Sequence, residues 1–328
     1  MPMQHGQQNS KRGNWEGLLG SEKFPVEKDR YHLYVAYFCP FAHRVLLTRQ
    51  LKQLQESLPV DIVKPYPKAG GGWRFPKADG EYPGSTTDSL FHSAFLHEVY
   101  RRDSPEYDGP FSVPMLWDKR TGRIVNNESA DIMRQLNTAF NDHLPLDSPQ
   151  RKFNFYPEDL RPQIDEANSW IVPNLNQGVY KTGFANDQET YDENVEIVFE
   201  TLQRVSDVIA SHPRTPFFLG KRLTELDIKL YATLIRFDTI YVQHFKCNLG
   251  TIRHDFPVIN RYLKFLYWKV KGFKETTNFK HIKENYSKSH ADINPKAITP
   301  RGPRPDIEAW TEEDEIWQSS LEAGCDDI

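Results

Sequence analysis

With 328 residues the chain has room for two domains. Its 38% hydrophobic and 26% charged residues are those of an ordinary globular protein, and a net charge of −4 makes no case for nucleic acid or an anionic membrane as partner. No run approaches the roughly 18 apolar residues of a membrane span, and the N-terminus lacks the apolar core of a secretory signal. Three widely spaced cysteines, Cys39, Cys247 and Cys325, suit a reducing compartment, hence the cytoplasm, rather than a disulfide framework.

Residues 1–29 read as an irregular polar arm in which Trp15, Leu18 and Phe24 offer packing contacts. Residues 31–38 follow as a strand rich in aromatic and branched side chains. Beyond Cys39 and Pro40, the apolar positions Phe41, Val45, Leu46, Leu51 and Leu54 fit a helical stripe. Pro40 suits the first helical position, where a missing N–H costs nothing. Cys39 is therefore expected at the N-cap, with unpaired N–H groups and the positive end of the helix dipole aimed at its sulfur. Such placement lowers a thiol from about 8.5 to roughly 3.5–7.5, so Cys39 is expected to titrate below neutral and act as a nucleophile. The alternative is a core cysteine that ends a strand; Pro40 and the helix behind it weigh against it.

A second strand is expected from Pro59 to Lys64, completing a strand–helix–strand unit with a parallel pair. Residues 65–92 form a long loop with Gly70, Gly71 and Gly72 ahead of Trp73. No Gly-Lys-Ser/Thr follows, so this is not a phosphate loop; Trp73 is delivered either to a binding surface or to the core edge. A helix over Leu90–Tyr100 comes next, then a strand-like Phe111–Trp117 whose Pro114 belongs at a strand start or edge. Arg123–Val125 is a last strand. Asn127, Glu128 and Ser129 open a helix, where a serine often only caps. Residues 138–156 read as a linker. Helical stripes then run over 158–180, interrupted at Pro173, and over 195–209, 226–237 and 256–270, with no further strand pattern. Thr224 and Asp227 have capping-box spacing. The proline-rich, acidic residues 286–328 form a tail on which Trp310, Ile316 and Trp317 can dock a short helix. No metal site is expected: His92 and His97 lack ligand spacing, and His244 with Cys247 is an isolated pair.

The order strand, helix, strand, helix, strand, strand, helix, with Cys-Pro at the first helix and Val-Pro before the third strand, is the thioredoxin-like pattern. Followed by a helical domain with a capping box, it resembles the cytosolic glutathione transferases. Cys-Pro-Phe-Ala-His-Arg at 39–44 resembles the omega and xi classes. Ser112–Asp118, Val125–Ser129, Gln177–Ala185, Arg236–Asp238, His244–Asn248 and the run from Ile293 to Pro303 resemble the glutathionyl-hydroquinone reductases, the xi class, in its fungal form. The resemblance implies an α/β thioredoxin-like glutathione-binding domain at 30–140, an all-helical substrate domain at 155–285, and a homodimer.

By the same resemblance, Cys39 is the nucleophile and Trp73 contacts glutathione. Val113, held by a cis Pro114, offers its backbone to the cysteinyl unit, and Glu128 and Ser129 hold the γ-glutamyl end. Helix-start N–H groups suit a carboxylate, and Glu128 suits an ammonium. Tyr156 is the expected proton donor, with Tyr241, His244 and Tyr262 in the hydroquinone pocket. Two positions depart from the family: Phe41 stands where tryptophan is usual, and His97 where an arginine is frequent. Arg101 or Arg102 is the replacement to consider, and the glycine carboxylate keeps no assigned partner. The implied reaction uses glutathione as co-substrate and no metal. It is a thiol exchange on glutathionyl-hydroquinones through a Cys39–glutathione disulfide. A second glutathione resolves that disulfide, since position 42 is Ala and no Cys-x-x-Cys exists. The rivals are an omega-like thioltransferase or dehydroascorbate reductase, and a non-catalytic binding module.

Overall fold

The computed structural model describes residues 15–66 and 72–321; Gly70, Gly71 and Cys325 lie outside them. Strand β1 (Tyr31–Val35) is buried along its whole length, as a branched and aromatic strand between two layers must be. It pairs parallel with β2 (Val60–Ile62) and antiparallel with β3 (Met115–Asp118), which pairs antiparallel with β4 (Arg123–Asn126), giving the order β2-β1-β3-β4. Pro114 immediately precedes β3, where a missing N–H breaks no ladder bond. Helices α1 (Pro40–Leu51) and α3 (Ser129–Thr138) pack against each other, and α2 (Leu96–Asp103) packs near β4. The second helix therefore begins six residues later than the stripe from Leu90 suggests. Residues 88–92 instead form a turn, closed by His92 N donating to Asp88 O at 3.1 Å, with the Asp88 carboxylate accepting from the Ser93 N–H at 2.9 Å and from Tyr34 Oη at 2.9 Å.

The described part of the N-terminal arm is not loose. Gly17 N donates to Val125 O at 2.7 Å on the outer edge of β4, and Phe24 is buried, while Leu18 stays exposed. The loop that carries Trp73 is pinned to the sheet. The Asp61 carboxylate accepts from Ser89 N and Ser89 Oγ at 2.8 Å and from Thr86 Oγ1 at 3.1 Å.

Beyond a linker with the short α4 (Pro149–Lys152), all regular structure is helical: α5 (Arg161–Ile171), α6 (Gly178–Gly183), α7 (Gln188–Ala210), α8 (Glu225–Arg236), the short α9 (Val242–His244) and α10 (Ile252–Asp255), α11 (Pro257–Lys269) and α12 (Phe279–Ser289). Pro173 does not break the stripe; it lies in a π-helical turn, Val172–Asn176, that joins α5 to α6. A second π-helical turn, Phe237–Tyr241, extends α8. Such turns re-aim side chains and recur at functional sites. The capping box is present: Asp227 accepts from Thr224 N at 2.8 Å and from Phe218 N at 2.8 Å.

Helix α12 runs to Ser289, past residue 286 where the tail is expected to begin. The chain then wraps back along the helical layer, and Lys283 Nζ donates to Arg301 O at 3.1 Å and Asp306 Oδ1 at 2.9 Å. A last helix, α13 (Glu312–Ser319), starts with its own capping box at Thr311 and Asp314. Trp310 and Trp317 pack on the helical core, whereas Ile316 is 72% exposed and does not dock. Two apolar cores result, one around the sheet and one among the helices, and α1 contributes to both through Val45 and Leu47.

Candidate active site

The turn between β1 and α1 places Cys39, the expected nucleophile. Cys39 is the N-cap of α1 with Pro40 directly behind it, and no side chain caps the helix. Its thiol donates to Val113 O at 3.5 Å, across the cis Val113–Pro114 bond. Val113 thus presents its carbonyl to the sulfur of Cys39. The residue is half-buried, yet protein crowds its sulfur. That burial pushes the thiol up, while the Ala42 N–H, the Arg236 charge, the Phe41 N–H and the Arg44 charge pull it down. The expectation of a thiol titrating below neutral is thereby corrected: the helix terminus and two cations are in place, but desolvation outweighs them.

Arg236, at the end of α8, is fully buried and reaches out of the helical layer. Its Nε donates to Phe38 O at 3.0 Å, its Nη2 to Tyr37 O at 2.8 Å and its Nη1 to His43 Nδ1 at 3.0 Å. His43 passes the chain on to Thr276 Oγ1 at 3.0 Å. Burial and the Arg236 charge hold His43 well below the ordinary histidine value, so it is neutral and accepts at Nδ1. The turn before Cys39 is therefore gripped by the other domain.

A cleft of about 440 Å³ opens beside this turn, lined among others by Phe41, Arg44, Ser112, Val113, Glu128, Ser129, Gln177 and Lys229. At its floor Glu128, not Ser129, caps α3, accepting from Ala130 N at 3.2 Å. Ser129 is the first helical residue, buried, with its hydroxyl 3.3 Å from Glu128. A helix start, a hydroxyl and an adjacent carboxylate together fit a zwitterionic amino-acid end. Trp15 and Tyr107 close the outer rim. Their rings meet edge to face at 4.9 Å, and Trp15 Nε1 donates to Asp103 Oδ2 at 2.5 Å. Sequence alone does not bring this arm residue to the cleft, since its contacts lie more than eighty positions away.

Trp73 is not in that lining; its ring packs on Phe38, one residue before Cys39, at 4.5 Å. Arg101 and Arg102 lie over the rings of Phe111 and Phe91, at 5.5 and 4.2 Å, and neither lines the cleft.

The tyrosines divide. Tyr156 donates to Asp165 Oδ2 at 2.6 Å and lies under Arg134, 3.9 Å from ring to guanidinium. That hydrogen bond pushes its phenol up. Arg134 also holds Glu225 at the N-terminal end of α8, about 16 Å of helix from Arg236, which grips the Cys39 turn. Tyr262 gives its hydroxyl to Asp227 at 2.8 Å, at that same far end, and is fully buried. Neither lines the cleft, and each hydroxyl is spent on a carboxylate: Asp165 within α5 for Tyr156, and Asp227 of the α8 capping box for Tyr262.

Tyr241 is fully buried and does not line the cleft. On the π-helical turn its hydroxyl lies 3.2 Å from that of Tyr286 on α12, and Tyr286 is hydrogen-bonded in turn to Tyr180 on α6. The Tyr180 ring is 6.1 Å from Phe41, and a thiolate at Cys39 would push both Tyr180 and Tyr241 further up. Burial pushes all three phenols up, so they carry protons at neutral pH. His244 borders the trio, 3.0 Å from His290 Nδ1, with burial lowering it to about 4. Tyr286 had no local signal, being 45 positions from Tyr241; only the fold pairs them.

Residues 38–139 match the glutathione S-transferase N-terminal domain, and residues 188–265 the C-terminal domain. The chain is 50% identical to the glutathione S-transferase omega-like 2 of Schizosaccharomyces pombe, over 87% of this chain and 89% of that one. The chain belongs to the glutathione S-transferase family. Within that family it is 44% identical to the glutathionyl-hydroquinone reductase YqjG of Escherichia coli, over 89% of this chain and 85% of that one. The glutathione-bound structure of YqjG superposes with a TM-score of 0.81, covering 92% of this chain and 94% of that one. The Xi glutathione S-transferase of Phanerochaete chrysosporium gives 0.85 at 45% identity, covering 89% and 96%. This glutathione S-transferase thus has the thioredoxin-like and all-helical pair of domains, and its likeness is to the Xi class. Among its described residues no helix is long and apolar enough to cross a membrane, and no group of side chains has the makings of a metal site.

Proposed function

We propose that the protein uses glutathione to strip the glutathionyl group from glutathionyl-hydroquinones. The observation that carries this reading is the position of Cys39, between a cleft shaped for an amino-acid zwitterion and a trio of protonated tyrosines. Glutathione lies with its cysteinyl unit on the Val113 main chain and its γ-glutamyl end on Ser129, Glu128 and the start of α3. Trp73 supports it through Phe38.

The Cys39 thiolate attacks the sulfur that joins glutathione to the ring. A Cys39–glutathione disulfide forms and the carbon–sulfur bond breaks. Its electron pair stays on the ring carbon, which takes a proton and leaves as the hydroquinone. Tyr180, with Tyr241 and Tyr286 behind it, supplies that proton; Tyr156 is too far along α8 to do so. Position 42 is Ala and Cys247 is buried, so a second glutathione attacks the mixed disulfide, freeing Cys39 and releasing glutathione disulfide. The protein works as a homodimer in the cytoplasm, where glutathione is abundant and reduced.

The test is turnover of a panel of glutathionyl-hydroquinones against dehydroascorbate, with the Cys39→Ser variant alongside. The quinols should be preferred, and the serine variant should be inactive and carry no glutathione by mass spectrometry. Faster turnover of dehydroascorbate would assign the omega-like activity instead.

A further inference from the structure

The run Cys39–Arg44 ends in a residue that this reaction leaves unused. Arg44 lies little more than one turn beyond Cys39 on α1 and is only 3% exposed, yet it lines the cleft. Its Nε and Nη2 are buried with no hydrogen-bond partner. Its guanidinium rests on the Phe41 ring at 4.9 Å. The other cation of the lining is different: Lys229 is tied to Glu225 at 2.7 Å and to Asn168 Oδ1 at 2.8 Å. The charged and titratable groups that face Arg44 are Cys39, Glu128, Tyr180 and Tyr241, with the Lys229 ammonium a like charge across the same cleft. Burial brings it down to about 10, which still leaves a full cation at neutral pH. A buried, unpaired guanidinium is among the most costly things a fold can hold, and it is retained where something else pairs with it. The planar N–H fork of a guanidinium matches a carboxylate.

We propose that Arg44 receives a carboxylate carried by the substrate, as a second anion-binding element of the cleft beside the start of α3. This rests on the cleft being the glutathione site. The carboxylate has two possible sources. Glutathione carries two, of which Ser129 and α3 account for one. An acidic substituent on the quinol ring is the other source, since Phe41 lies between Arg44 and Tyr180.

Two variants test this. Arg44→Met keeps the stem and removes the charge; Arg44→Lys keeps the charge and removes the fork. Calorimetry is run with glutathione and with γ-glutamylcysteine, which lacks the glycine carboxylate. KM is measured for a neutral glutathionyl-hydroquinone and for one with a ring carboxylate. If the tripeptide is the source, Arg44→Met binds glutathione about tenfold to hundredfold more weakly. If the ring is the source, glutathione affinity holds and KM rises by the same factor for the carboxylated quinol alone. Arg44→Met should melt no lower than the wild type, because an uncompensated charge is removed. Should it not fold, Arg44→Lys carries the same comparisons. Unchanged affinity and unchanged KM for both quinols overturn the proposal, even if alkylation of Cys39 shifts to higher pH. A wild type that binds glutathione but turns over no quinol would sink the proposed function and leave the glutathione arm of this test standing.

Discussion

Helix α8 can be compared with itself, end against end. At Glu225 and Asp227 every buried carboxylate is surrounded by donors. Glu225 takes Arg134 at 2.7 Å, Lys229 at 2.7 Å and Asn168 at 2.8 Å, and Asp227 takes two backbone N–H groups and the Tyr262 hydroxyl. At Arg236 the donors point outward instead, to carbonyls and an imidazole of the other domain. The first end is closed on itself and holds the helical domain together. The second is spent on the placement of Cys39. The difference teaches how to sort buried tyrosines: one that donates to a fixed carboxylate is part of the frame, and one bonded only to its peers still has a proton to offer.

The largest expected break in this comparison is at the closed end. Asp227→Ala would orphan the Phe218 and Thr224 N–H groups and the Tyr262 hydroxyl, all buried, and should cost about 3 kcal/mol or more in a urea titration. Activity per folded molecule should hold; a parallel fall in activity would mean the two ends are not separate.

Next comes the sorting of the tyrosines themselves. Tyr180→Phe should slow glutathionyl-hydroquinone reduction about 10²-fold and spare a small mixed disulfide, whose leaving thiolate needs no acid. Tyr156→Phe should leave both rates near wild type. The reverse pattern would return the acid to the far end of α8.

A smaller effect is expected at α3. Ser129→Ala should weaken glutathione binding by about 1–3 kcal/mol without altering the melting temperature. Unchanged calorimetric affinity would move the γ-glutamyl end elsewhere.

The remaining expected effect is in pH. Burial holds His43, His244 and His281 below the ordinary histidine value, His244 at about 4. Unfolded histidines titrate near about 6.5, so below that the unfolded chain binds protons that the folded chain refuses. Stability should therefore fall as pH drops from about 6.5 towards 4, by up to about 1.4 kcal/mol per pH unit for each histidine. A denaturation midpoint that stays flat over that window would mean these rings take up protons in the folded state.

The sequence made the domain pair legible through local signals: Pro40 at a helix start, Pro114 at a strand start, the Thr224–Asp227 spacing. Residues whose position follows from neighbours in the chain, such as Cys39 at the start of α1 and Glu128 with Ser129 at the start of α3, could be placed the same way. Tyr156 and Tyr262 could not be told from Tyr180 and Tyr286, because what separates them is the partner of a hydroxyl, and those partners lie 9, 35 and 106 positions away. The helix starts at Leu96 rather than Leu90 because the chain leaves the helical region at His92, whose φ is 54°, and Asp88 takes the Ser93 N–H that would continue a helix, which a hydrophobic stripe does not reveal. The thiol was misjudged because a helix dipole is visible in a sequence and crowding around a sulfur is not.

Because Arg236 grips the main chain at Tyr37 and Phe38, the reactive sulfur is a gauge of how the two domains sit together. A slight loosening of their contact would withdraw two hydrogen bonds and a positive charge from the residues beside Cys39 long before either core melts. Chemical labelling of that one thiol during gentle warming would then read interdomain motion directly, with no added dye or spin label. Loss of catalysis on heating would mark the parting of two intact halves rather than the unfolding of either.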